Sequence, residues 1–186
     1  EHYAWMQYGG GQQLKDRIYG ERGLISLECG VEPPESGGWF NERHKKVEDL
    51  RGIKMRTFGL GGKVLKKFGV SPTRLDPYDI VSSVKNGVID ATEFLTPQWD
   101  HWLGLQKIFK YYYFPSWHQP YAVHELVINK QKWDGLGKAG RLMIMNSCNF
   151  MILEMIGKFN ALQPKAMRDI KQEGVKFVRW RDSELK

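Results

Sequence analysis

Apolar and polar positions along the chain alternate between two periods, with glycine at the changeovers. Gln12 to Arg22 has the spacing of a short amphipathic helix closed by Gly23, and Leu24 to Cys29 alternates like a strand. Glu32 to Gly38 is a Pro- and Gly-rich connector, and Trp39-Phe40 starts a short strand. Val47 to Leu50 forms one helical turn before Gly52. Ile53 to Phe58 then reads as a strand, Lys63 to Phe68 as a helix stopped by Gly69, Val70 to Leu75 as a strand, Pro77 to Asn86 as a helix stopped by Gly87, and Val88 to Phe94 as a strand. This βαβαβ order predicts a mainly parallel sheet. Thr96 caps a further helix with Pro97 at its first position, running to about Phe109. Tyr111 to Phe114 and Ala122 to Asn129 are strands, and Gln131 to Leu136 is a turn or short helix. Helices follow from Lys138 to about Leu162 and from Pro164 to Glu173, and Val175 to Trp180 is a last strand. The long helix is apolar on more than one face, through Leu142, Met145, Cys148 and Ile152 but also Met143, Ile144 and Met151. It is therefore expected to be buried on two sides, against two lobes or a second subunit.

Composition adds little to this picture. With 186 residues, 41% apolar and 26% charged, the chain is an ordinary globular one, long enough for one sizeable core or two small lobes. The net charge is +7, but the basic residues are scattered in short clusters such as Lys45-Lys46 and Lys66-Lys67, without a run of five. Nucleic-acid binding is therefore not expected, whereas a mildly positive field favours an anionic solute. Cys29 and Cys148 have no metal-site spacing; one disulfide is open to them but no spacing argues for it, and two buried free thiols are expected. No stretch is long and apolar enough for a membrane span, and Glu1-His2-Tyr3 opens without a signal-peptide pattern.

The chain contains no GxSxG, HExxH or P-loop motif. Gly59-Leu60-Gly61-Gly62 lacks both the Walker and the dinucleotide spacing. It serves either to bring a ligand near a helix N-terminus or to pack helix on strand. Arg56 precedes that turn, at the carboxyl end of a strand, where open α/β sheets bind ligands. Its planar fork suits a carboxylate, with a surface salt bridge as the equal alternative. Glu93 and Phe94 end the third strand and should open on the same edge. There Glu93 either neutralises Arg56 or helps hold a cation. His118 and His124 are separated by Pro120 and are not read as a metal pair.

Three segments carry a family resemblance. Asp49-Leu50-Arg51-Gly52-Ile53-Lys54-Met55-Arg56 resembles the DLxGxKxR segment of TRAP (tripartite ATP-independent periplasmic) transporter solute-binding proteins. Gly87 to Phe94 resembles their GxIDAxEW, and Tyr111 to Pro120 resembles the YYYYPGWHEPG of the branch that binds 2-oxo and 2-hydroxy monocarboxylates. Gly37-Gly38-Trp39-Phe40 lies upstream in the matching order.

The resemblance implies a type II periplasmic-binding-protein fold, with two lobes, mainly parallel sheets and a long C-terminal helix, and with most of the first lobe missing. It divides the chain into a first-lobe remnant (1–26), the second lobe (27–92 and 121–136), a return segment to the first lobe (93–120) and C-terminal helices spanning the lobes (137–186). It implies a non-enzymatic, periplasmic binding subunit that delivers a small carboxylate to the permease subunits of a TRAP transporter, with a homodimer through the C-terminal helix. An enzyme acting on a small oxo acid, with Glu93 or His124 as base, is the alternative. Arg56 matches the carboxylate-binding arginine, Thr57 falls at a Gln ligand position, and Trp117 joins the substrate contacts. Glu93, the Phe94 carbonyl and Gln119 match the cation ligands. Phe94 replaces Trp, Thr57 replaces Gln, and Gln119 replaces a carboxylate. The implied site has lost a negative charge, which favours sodium or no ion over a divalent one.

Overall fold

The computed structural model describes residues 1–185. In chain order the elements are α1 (His2–Tyr8), α2 (Gly11–Gly20), β1 (Leu24–Glu32), β2 (Gly38–Phe40), β3 (Lys54–Arg56), α3 (Gly59–Lys67), β4 (Ser71–Thr73), α4 (Ile80–Lys85) and β5 (Ala91–Thr92). They continue with α5 (Pro97–Leu103), β6 (Tyr111–Tyr113), β7 (Ala122–Asn129), α6 (Lys130–Gly135), α7 (Lys138–Gln172) and β8 (Lys176–Val178). Two compact units result. The smaller holds Glu1–Glu32 and Val123–Gly157, and the larger holds Pro33–Ala122 and the chain from Lys158 onward.

The larger unit is built on a six-stranded sheet of order β4-β3-β5-β2-β6-β8. The pairs β3–β4, β3–β5 and β6–β8 are parallel, and β2 runs antiparallel to both its neighbours. Strand alternation sorts consecutive aromatics to opposite faces. Trp39 and Tyr112 enter one core with Ile80, Ile89, Leu105 and Ile170. Phe40 and Tyr113 enter the other with Leu50, Met55, Leu65 and Trp180. A sheet covered on both faces explains why these strands read as unbroken apolar runs. Pro72 is tolerated because β4 is the edge strand.

Residues 93–120 lie in the larger unit, where β6 pairs with β2 along Gly38–Tyr113, Trp39–Tyr112 and Phe40–Tyr111. Several elements depart from expectation. The strand predicted from Val88 shortens to β5 because the Val88 amide caps α4 by donating to the Ser83 carbonyl. The helix expected to break near Leu162 is continuous, with Pro164 inside α7. Buried Gln163, Ala166 and Ile170 on either side of it hold α7 against the larger unit.

The smaller unit pairs β1 with β7 and packs α2 against β1. Lys15 of α2 reaches Glu125 of β7 at 2.6 Å. Cys29 and Cys148 are not free thiols. They form a disulfide from β1 to α7, and among the described residues no cysteine is left free. Within the single chain the first half of α7 is not buried on two sides. Cys148 is covered, but Leu142, Met143, Met145, Phe150, Met151 and Leu153 are exposed. No described helix is long and apolar enough to cross a membrane.

Candidate functional site

The parallel pairing of β3 and β5 brings their carboxyl ends to one sheet edge, with Arg56 opposite Thr92. The chain continues the ladder one step further, as the Glu93 N–H donates to the Arg56 carbonyl at 3.1 Å. Arg56 and Glu93 therefore meet. Arg56 Nη1 donates to Glu93 Oε1 at 2.9 Å and to the Glu93 carbonyl at 2.7 Å, and both residues are buried. Arg56 Nε points at the Leu75 carbonyl at 3.4 Å, which leaves Nη2 without a hydrogen bond among the described residues. The Phe58 and Phe94 rings lie 4.9 and 5.6 Å from the guanidinium carbon, so aromatic faces wall the cation.

Beside this pair lies a cavity of about 390 Å³. It is lined by Glu93, Phe94 and Leu95 after β5, by Phe58 to Gly61 at the start of α3, by His118 and Gln119, and by Glu35. Gly59 turns the chain into α3 at φ +65°, where a side chain would be strained. A Cβ on Gly61 would meet His118 Cδ2 at 3.0 Å. The glycine turn thus allows close packing, on a ring that itself lines the cavity. His118 accepts or donates at Nδ1 with Ser116 Oγ at 3.0 Å, and burial lowers its pKa, which favours the neutral ring.

Burial pushes the Glu93 carboxyl up to about 7, against the opposing pull of Arg56. Beneath the site, burial also pushes Asp100 up to about 7, opposed by hydrogen bonds from the Trp39 indole and the Leu95 amide.

Not every residue singled out from the sequence lines the cavity, and Arg56 itself is absent from its walls and adjoins it through Glu93. Thr57 is buried away from it and donates its N–H to the Thr73 carbonyl. Trp117 lines a different, mostly apolar cavity of about 250 Å³, with Val64, Leu65, Phe68 and Trp180. His124 lies in the smaller unit, 3.4 Å from Glu32.

Glu35 was not among the residues singled out. Its carboxylate Oε1 accepts Gln119 Nε2–H at 2.6 Å. Its backbone is tied in by Glu35 N–H to the Gln119 carbonyl, Ser116 N–H to the Glu35 carbonyl and Ser36 N–H to the Leu95 carbonyl. The negative charge that Gln119 lacks is thus carried by its hydrogen-bond partner. The cavity has two carboxylates, an amide and backbone carbonyls on its walls, an oxygen-rich donor set that suits sodium or calcium. Among the described residues no three His, Cys, Asp or Glu side chains gather as a metal site, so a cation here would draw on amide, backbone and ligand oxygens as well.

The family described as Bacterial extracellular solute-binding protein, family 7 (DctP) matches residues 1–186. The chain is 33% identical over 178 residues to a monocarboxylate 2-oxoacid-binding periplasmic protein of Nostoc sp., covering 96% of this chain and 49% of that protein. It is similar to a TRAP transporter solute-binding protein of Bordetella bronchiseptica, solved with copurified calcium and picolinate, at TM-score 0.89 and 33% identity over 99% of this chain and 55% of that one. A TRAP solute-binding protein of Pseudoalteromonas atlantica, solved with sodium and pyruvate, matches at TM-score 0.85 and 29% identity over 97% of this chain and 55% of that one. The chain thus spans about half the length of these relatives.

Proposed function

Because the chain belongs to family 7 of the bacterial extracellular solute-binding proteins, we propose that it captures a small 2-oxo or 2-hydroxy monocarboxylate in the periplasm. It does so without chemistry and hands the solute to TRAP permease subunits. The observation that carries this reading is Arg56, a buried guanidinium that holds Glu93 of the cavity wall through Nη1 and has no hydrogen bond at Nη2 among the described residues. A carboxylate placed there gains a charge-assisted hydrogen bond in a partly desolvated site. The ligands bound in those two relatives, picolinate and pyruvate, carry a nitrogen or oxygen on the carbon next to the carboxylate and were found with calcium or sodium. In this chain Glu93, Glu35, Gln119 and the Phe94 carbonyl are the groups that would hold such a cation, which would offset their negative charge and bridge to the solute. The Cys29–Cys148 disulfide supports an oxidising compartment. The exposed Met143, Phe150 and Leu153 of α7 support a second copy packing on that helix.

Calorimetric titration of the intact protein with pyruvate and related 2-oxo acids, with and without calcium or sodium, tests the assignment. Binding is expected for wild type and lost in Arg56→Ala. An Arg56→Ala variant with the wild-type dissociation constant for its best 2-oxo acid would sink the reading.

A further inference from the structure

Asp100 is fully buried in α5 and does not line the cavity, yet both its oxygens are placed by specific donors. Oδ2 accepts the Trp39 indole N–H at 2.8 Å, and Oδ1 accepts the Leu95 amide at 3.0 Å. That amide belongs to the Phe94–Leu95 peptide, which is trans, since Phe114–Pro115 is the one cis peptide among the described residues. In a planar trans peptide the C=O and N–H point in opposite directions. A grip on the Leu95 N–H therefore sets the direction of the Phe94 carbonyl and turns it away from Asp100.

The neighbouring carbonyls are already taken. The Glu93 carbonyl accepts from Arg56 Nη1 and from Thr92 Oγ1, and the Leu95 carbonyl accepts from the Ser36 amide. The Phe94 carbonyl accepts nothing among the described residues. Gln163 of α7 holds the rest of the strap, accepting from the Gln98 amide at 2.9 Å and donating to Thr96 Oγ1 at 3.2 Å.

We propose that Asp100 is a positioning residue of the solute site. It fixes the Phe94–Leu95 peptide so that the one unoccupied carbonyl of the strap is presented for a hard cation held together with the solute's carboxylate. The role rests on the solute-and-cation reading given above. An acceptor at the N–H end also polarises the peptide and strengthens its carbonyl as a ligand, as outer groups do at metal sites.

The test titrates the intact protein with pyruvate, with and without calcium or sodium, and follows hydrogen exchange of the segment around Leu95. If wild type binds no pyruvate, the solute reading falls and takes this role with it. If wild type binds without any cation effect, the solute reading stands and this role is overturned. Otherwise Asp100→Ala should lower cation-dependent affinity about tenfold and deprotect the Leu95 segment, leaving cation-free binding nearly unchanged. Trp39→Phe removes the indole donor and leaves the Leu95 amide and the Tyr112 hydroxyl beside Asp100, and should lower stability while keeping the cation effect. In that background Asp100→Asn should rescue what Asp100→Ala loses, because its amide oxygen still accepts from Leu95. Equal losses in Trp39→Phe and Asp100→Ala, or an undiminished cation effect in Asp100→Ala, overturn the proposal. Should Asp100→Ala not fold, Asp100→Asn alone decides, since Leu95 protection and the cation effect must be kept or lost together.

Discussion

Arg56 Nη1 and Glu93 Oε1 stand 2.9 Å apart, both on buried side chains, so the guanidinium proposed as the anion anchor is already paired within its own chain. Removing Glu93 leaves a buried guanidinium with only backbone carbonyls as partners. Glu93→Ala should therefore destabilise the fold by about 3 kcal/mol and abolish any cation dependence of solute binding. Denaturant unfolding reads the first effect, and calorimetry with and without calcium reads the second.

Glu35 and Gln119 form the other polar wall, 2.6 Å apart. Since Glu35 carries the charge of that pair, Glu35→Gln should weaken calcium more than sodium, a divalent ion losing more from each missing carboxylate. The exchange Glu35→Gln/Gln119→Glu restores the charge on the opposite partner and should recover most of the calcium affinity. An Glu35→Gln variant whose affinities for the two ions change equally would show that the charge does not face the cation.

Asp100 and Glu93 give the unliganded protein a pH dependence opposite to that of a salt-bridged carboxylate. Burial raises them from 3.8 and 4.5 to about 7. The folded state therefore keeps protons that the unfolded chain has released, and stability contributed below the unfolded values is lost as pH rises through about 7. Thermal unfolding without solute should give a lower Tm at about pH 8 than at about pH 5. Asp100→Asn should flatten that slope by removing one of the two groups.

The Cys29–Cys148 bridge closes a loop across a sequence separation of 119. Replacing Cys148 by Ala, or adding reductant, should cost about 2–5 kcal/mol of stability, seen as a lower denaturant midpoint. An unmoved midpoint would mean that the smaller unit's packing alone fixes β1 against α7.

Arg56 and Glu93 were legible in the sequence because parallel strands joined by helices put their carboxyl ends on one edge, whatever the details of packing. Their pairing needed only the chain order. Glu35 was hidden because a carboxylate between Pro34 and Ser36 reads as a solvated turn residue. Its place comes from its backbone bonds with Gln119 and Ser116, made by a segment distant in the chain. Asp100 reads as an acidic residue in a first helical turn, and only the tertiary fold puts the Trp39 indole over it. The disulfide was missed for a similar reason, since two cysteines so far apart carry no spacing signal. The long helix misled in the other direction, because apolar composition reports what a helix can bury, and much of α7 in this chain is exposed.

The bridge from Cys29 to Cys148 encloses the whole stretch Pro33–Ala122, which carries Arg56, Glu93 and the cavity walls. One proteolytic cut anywhere in that stretch leaves both fragments covalently joined. A nicked molecule would run as a single band on a non-reducing gel and split in two once thiol is added, so a clipped binding site stays attached to the chain that carries it.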